Sequence, residues 1–256
     1  MAGVKAGVEC RDSGDTRGQG DKGGGFWTLG ASVDRLREIV LGGFAGGWCG
    51  LAMEHNVVLI GNAPVERDWR ERVEEAHFVV RFNVPRDTEA TTGLRCDALC
   101  VSNYGDPARR IAKYRQLADL KVLEEGTEVW FPRRRQRRAW TCLVSHPIRA
   151  VRHRLDFSAQ VLKRNGLMGH GQVFFSEGIW WRAYSLLALD REGPIQPSTG
   201  FLALVYCLGR FPPAIFRTWL LGFTFEGSAV HCWEAEKKFV EKLVAQGVLI
   251  WERPGG

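Results

Sequence analysis

No run of eighteen apolar residues occurs in this 256-residue chain, which argues against a strong transmembrane helix. An apolar stretch from Ile39 to Met53 is too short to span and carries five glycines. The opening thirty residues are polar and glycine-rich, without the apolar core of a signal peptide. No Cys-x-x-Cys pair is present, so the cysteines do not read as a zinc site. The seven are scattered: Cys10, Cys49, Cys96, Cys100, Cys142, Cys207 and Cys232. They read as free, partly buried thiols of a cytoplasmic protein. There is no Asp-x-Asp motif and no internal repeat. The arginine run Arg133, Arg134, Arg135, Arg137, Arg138 lacks interleaved aromatics, so nucleic acid is not the expected partner. The run reads first as a solvated face and second as an anion-attracting patch.

What is present suffices for one α/β domain. With 45% apolar residues the chain can bury a core. Residues 1–52 differ from the rest, because Met1 to Gly25 is rich in Gly, Asp, Arg and Lys. They read as an unfolded leader, with Met53 as an alternative start and the folded domain over 53–256. Val33 to Val40 has short helical spacing. From Asn56 strands and helices alternate. Val57 to Ile60, Phe78 to Phe82, Ala98 to Val101, Glu128 to Phe131, Thr141 to Val144, Thr218 to Gly222 and Val248 to Trp251 read as strands. Val65 to Ala76, Pro107 to Leu120, Val151 to Arg164, Phe174 to Leu189, Thr199 to Leu208 and Trp233 to Gln246 read as helices. This alternation predicts a variant Rossmann-like α/β fold in a single domain: a mainly parallel sheet with helices on both faces.

The residues that carry chemistry sit at the strand ends. Gly61-Asn62-Ala63-Pro64 follows a strand and precedes a helix, where open parallel sheets bind ligands. It is not the Gly-x-Gly-x-x-Gly of a dinucleotide site. Asn62, Asn83 and Asn103 each fall just past a strand end. Such amides serve equally as turn caps or as readers of a base or ribose. Arg81 is either a structural charge partner, with Asp97 as the candidate, or a phosphate ligand. At Pro197-Ser198-Thr199-Gly200, a hydroxyl caps the next helix, and freed N–H groups there suit an anion. His231 precedes the last helix and is placed as a general base, with Glu236 or Glu234 to orient it. His146 and His170 are rival bases in loops.

The order Gly-Asn, Arg-x-Asn, Pro-Ser-Thr-Gly, Gly-Phe (Gly222-Phe223) and His-x-x-x-x-Glu resembles the sialyltransferase superfamily over residues 56 to 251. The closer resemblance is to small bacterial sialyltransferase-like proteins, some labelled urease operon accessory proteins after their gene neighbourhood. The resemblance implies inverting transfer from a CMP-activated, sialic-acid-type sugar to a glycan or small-molecule acceptor. It implies no essential metal and no cofactor beyond that donor. By carry-over, Gly61, Asn62, Asn83 and Asn103 would hold the cytidine nucleotide. Ser198, Thr199 and Gly200 would contact its phosphate or the sugar carboxylate, and His231 would deprotonate the acceptor. Two departures stand out: the paired cysteines of animal enzymes and their separate aromatic motif are missing. The alternative is a non-catalytic nucleotide-binding or operon accessory protein.

Overall fold

The computed structural model describes residues 55–86, 88–133, 155–189 and 195–253. The strands are β1 (His55–Ile60), β2 (Phe78–Phe82), β3 (Ala98–Cys100), β4 (Glu128–Phe131), β5 (Gln172–Phe174), β6 (Phe216–Leu221) and β7 (Leu249–Trp251). The helices are α1 (Arg70–Glu74), α2 (Thr88–Thr91), α3 (Gly105–Tyr114), α4 (Ser158–Arg164), α5 (Glu177–Leu186), α6 (Thr199–Arg210) and α7 (Trp233–Ala245). One seven-stranded sheet has the order β5-β4-β3-β2-β1-β6-β7, and every pairing is parallel. The expected single-domain parallel α/β fold is what forms.

Its strands are mainly apolar because both faces are covered, with Arg81 and Thr218 as buried polar exceptions. Val57, Leu59, Val80, Phe82, Ala98, Cys100 and Trp130 point to one face and pack with α5, α6 and α7. Leu99, Val101, Val129 and Phe131 point to the other, against Ile111 and Ala112 of α3 and Val161 and Leu162 of α4. Val58, Ile60, Val79 and Trp219 continue that second layer over Val73 of α1. Seven residues of α6, from Phe201 to Leu208, are buried, so this helix is apolar nearly all round.

The sheet reverses its order once. After β1 the chain steps outward through β2, β3, β4 and β5, then returns through α6 to place β6 on the other side of β1. That reversal is a topological switch point, and its crevice opens at the carboxyl ends of β1 and β6. Gly61 N–H donates to Leu221 O at 2.8 Å there, and Ala63 N–H to Gly222 O at 3.2 Å. A Cβ on Gly61 would stand 2.2 Å from Gly222 O, so the two strand ends can meet only with glycine.

Several boundaries differ from the sequence reading. Val65 to Ala76 is helical only over α1. The Pro107 helix begins at Gly105 and stops at Tyr114, because Arg115 turns left-handed (φ 51°). Phe174 to Leu189 divides into β5 and α5: Phe174 pairs with Phe131, and Ser176 then occupies the N-cap position. The Val151 helix is seen as α4; its first four residues, the Thr141 to Val144 strand, the Val33 to Val40 helix and the leader over 1–52 lie outside the described residues. No helix among the described residues is long and apolar enough to cross a membrane.

Candidate active site

The carboxyl edge of the sheet holds a cavity of about 710 Å3, a size suited to a small molecule. It brings together Gly61, Asn62, Asn83, Asn103, Ser198, Thr199, Gly200, His231 and Glu236, from six separate chain segments. All the nucleotide-site and base residues expected from sequence therefore line one space.

The three asparagines form a chain across the strand ends. Asn62, after β1, donates from Nδ2 to Phe82 O at the end of β2, at 3.0 Å. Asn83, after β2, accepts Ser102 N–H after β3, at 3.0 Å. Asn103, after β3, donates to Arg133 O after β4 and to Asp156 Oδ1, each at 3.2 Å. Asn83 sits at φ 49°, a left-handed turn that asparagine tolerates. Each amide thus uses one end to hold the neighbouring strand. Asn103 Oδ1 is buried and has no partner among the described residues. A buried amide oxygen without a partner is unusual, and it belongs to a residue that lines the cavity.

Ser198 is the N-cap of α6, and its Oγ accepts Phe201 N–H at 3.1 Å. Its own donors go to Glu236: N–H to Oε1 and Oγ–H to Oε2, both at 2.7 Å. Glu236 is fully buried, and burial outweighs these two bonds, raising its carboxyl to about 7. This corrects the expectation that Glu236 orients His231. The alternative, Glu234, is exposed and pairs with Lys238 at 3.3 Å. Because Ser198 spends its donors on Glu236, Thr199 and Gly200 are the part of this turn left open to an anion. Gly200 is needed for packing as well, since a Cβ there would lie 2.9 Å from Phe223 Cε1.

His231 takes its orientation from another group. Its Nδ1 lies 2.9 Å from the backbone oxygen of Gln196. A carbonyl oxygen only accepts, so Nδ1 carries the proton and Nε2 keeps its lone pair. The ring meets Trp233 edge-on at 5.0 Å. Burial depresses the imidazole below its usual value, and the charge of Arg133 adds to this, while the Gln196 bond opposes it. Neutral at pH 7 with a bare Nε2, His231 is equipped to take a proton.

The rivals fare differently. His170 Nδ1 bonds Thr127 O at 3.0 Å, at the amino end of β4 and away from the cavity. His146 lies outside the described residues. Arg81 is structural: its guanidinium is buried and donates to Arg95 O, Thr92 O, Thr92 Oγ1 and Gly93 O. Asp97 instead accepts Val79 N–H at 2.7 Å and pairs with Arg95.

Arg133, Gln196 and Trp180 line the cavity and were not legible as site residues. Arg133 opens the arginine run, but its place directly after the β4 end was the signal that set it apart. Its guanidinium lies 4.4 Å from the Trp180 ring centroid and 5.0 Å from that of Tyr104. The rest of the run lies outside the described residues.

No protein-family model matches the chain. No curated protein matches it either. Solved structures do. A mammalian sialyltransferase in complex with Gal-beta-1-3GalNAc-ortho-nitrophenol aligns with 88% of this chain and 80% of its own, at 14% identity and a TM-score of 0.50. The fold is that of a sialyltransferase. Two Campylobacter jejuni enzymes align at lower TM-scores. The alpha-2,3-sialyltransferase in apo form covers 78% of this chain and 76% of its own, at 14% identity and 0.48. CstII, solved in complex with a substrate analogue, cytidine-5'-monophosphate, covers 81% and 83%, at 13% and 0.44. At these identities the likeness speaks for the fold alone. The comparisons give the urease operon link no support.

Proposed function

We propose that this chain is a sialyltransferase-like glycosyltransferase that moves a sialic-acid-type sugar from a CMP-sugar to an acceptor hydroxyl with inversion. The observation that carries this is His231: a neutral imidazole with a fixed tautomer, lining the switch-point cavity of a fold shared with a sialyltransferase. The donor lies across the asparagine ends, with its anionic groups toward the open turn of α6. The acceptor oxygen attacks the anomeric carbon and gives its proton to His231 Nε2. The bond from that carbon to the phosphate oxygen breaks, and CMP departs with the electron pair. The transition state is oxocarbenium-like, so the wall supplies orientation and charge rather than a covalent partner. As in the sequence reading, the step is proposed without a metal, and turnover is expected to persist in a chelator.

The test is calorimetric titration of the full chain with CMP, with UMP and cytidine as controls, followed by CMP release from the donor. Selective CMP binding with donor consumption supports the reading. Selective binding without any consumption turns it to a nucleotide-binding protein. No CMP binding by folded protein sinks it.

A further inference from the structure

Gln196 is fixed at three points. Its N–H donates to Val230 O at 2.9 Å. Its carbonyl oxygen receives His231 Nδ1–H at 2.9 Å. Its side-chain Oε1 accepts from Arg133 Nη2. Residues 196 and 231 also form a parallel bridge outside the main sheet, so the His231 backbone is tied to the same place.

Arg133 is itself held from several sides. The rings of Trp180 and Tyr104 lie within cation–π range. Its backbone oxygen takes the Asn103 amide, which joins it to the strand-end chain. No carboxylate pairs with it among the described residues. A half-buried guanidinium without a carboxylate is costly to keep. Arg81 shows the ordinary solution, in which the group is consumed by four bonds to one loop. Arg133 instead reaches across the cavity wall to the residue that sets the histidine tautomer.

We infer that Arg133 is a positioning residue for His231, acting through Gln196: the guanidinium pins the Gln196 side chain, and the pinned Gln196 carbonyl holds Nδ1–H so that Nε2 faces the acceptor with its lone pair free. Its second effect is electrostatic. The positive charge resists protonation of the imidazole and works in the same direction as burial. The carboxylates sharing the cavity are Asp106, Glu226 and Glu236, and Glu236 is engaged by Ser198. An anion bound beside Arg133 would cancel part of its charge. The histidine would then gain basicity when the donor is in place.

The inference rests on His231 being the base, but its first readout does not need turnover. Nitrogen NMR of the full chain reports the His231 tautomer and its titration directly. Wild type is expected to show Nδ1–H alone. In Arg133→Gln, which loses both clamp and charge, His231 is expected to titrate higher and to show both tautomers. Arg133→Lys keeps the charge without the planar fork, so the titration stays low while the tautomers mix. Gln196→Ala also mixes tautomers, with Arg133 present. Transfer is expected to fall roughly tenfold in each of Arg133→Gln and Gln196→Ala. The double variant should be no worse than the poorer single, because the two residues act as one unit. A merely structural Arg133 would leave tautomer and titration unchanged in folded protein, and that result overturns the inference. Wild type that shows the tautomer pattern but never consumes donor sinks the functional reading alone. His231-dependent transfer that Arg133→Gln leaves unchanged, in rate and in tautomer, sinks the positioning role alone.

Discussion

The two edges of the sheet use the same residue types to opposite ends. At the amino edge, polar groups close on the chain itself. Asp97 takes Val79 N–H and Arg95, Thr127 Oγ1 donates to Cys96 O, and Arg210 pairs with Glu128. His77 packs by ring contacts on His55 and Phe216. At the carboxyl edge the bonding stops short. Each asparagine binds the next strand end by one end, and among the described residues Asn103 Oδ1 has no partner and Arg133 has no carboxylate. An Asn, Arg or His becomes part of a site where the chain leaves its bonding incomplete, more than by its identity.

The sharpest way to break that contrast is to exchange histidines between edges. His231→Ala is expected to lower transfer by about 10²–10⁴-fold, the range for a positioned general base, with CMP binding little changed. His170→Ala, at the amino edge, is expected to leave transfer near wild type. Equal losses in steady-state assays of the two variants would remove the distinction between the edges.

The arginines give the next largest effect, on stability. Arg81→Met strands three carbonyls and a hydroxyl in a buried loop. It is expected to cost roughly 3–5 kcal/mol, seen as a lower urea midpoint. Arg133→Gln is expected to cost far less, because its guanidinium has one side-chain partner and two ring contacts. The ranking reversed would place the structural arginine at the cavity.

Glu236 separates the edges by pH. Its carboxyl is raised from 4.5 to about 7 by burial. The folded chain therefore keeps this proton at pH values where the unfolded chain has lost it. The contribution to stability is full below 4.5, declines as pH rises toward about 7, and is flat above. The span corresponds to roughly 3 kcal/mol. Glu236→Gln is expected to shrink the fall in unfolding free energy between pH 5 and pH 8. An unchanged fall would assign the pH dependence to other groups.

The sheet was legible because parallel strands buried on both faces read as short apolar runs, and most ended where expected. Helix limits were less so. Phe174 looked helical by its apolar neighbours, yet strand pairing with Phe131 claimed it. Site members were legible where they sat at strand ends, as Asn62, Asn83 and Asn103 did. Their partners were not. Gln196 and His231 are 35 residues apart and meet only through a bridge. Arg133 was masked by four neighbouring arginines that suggested a solvated face. Glu236 was seen, but its partner was misassigned, since spacing along the chain favoured His231 and folding brought it to Ser198.

Ser198 carries the smallest effect and the finest discrimination. Ser198→Ala removes the acceptor for Phe201 N–H and the hydroxyl donor to Glu236 Oε2, while Ser198 N–H still reaches Oε1. Loss of the cap is expected to cost about 1 kcal/mol. The lost hydroxyl bond had been lowering the Glu236 carboxyl. Without it the carboxyl moves further up, and the pH window of declining stability extends above about 7. Thr199→Ala should leave both the cap and that window intact and weaken CMP binding instead. If Thr199→Ala moves the pH window and Ser198→Ala moves only affinity, the division of this turn into a structural residue and a ligand-facing one is wrong.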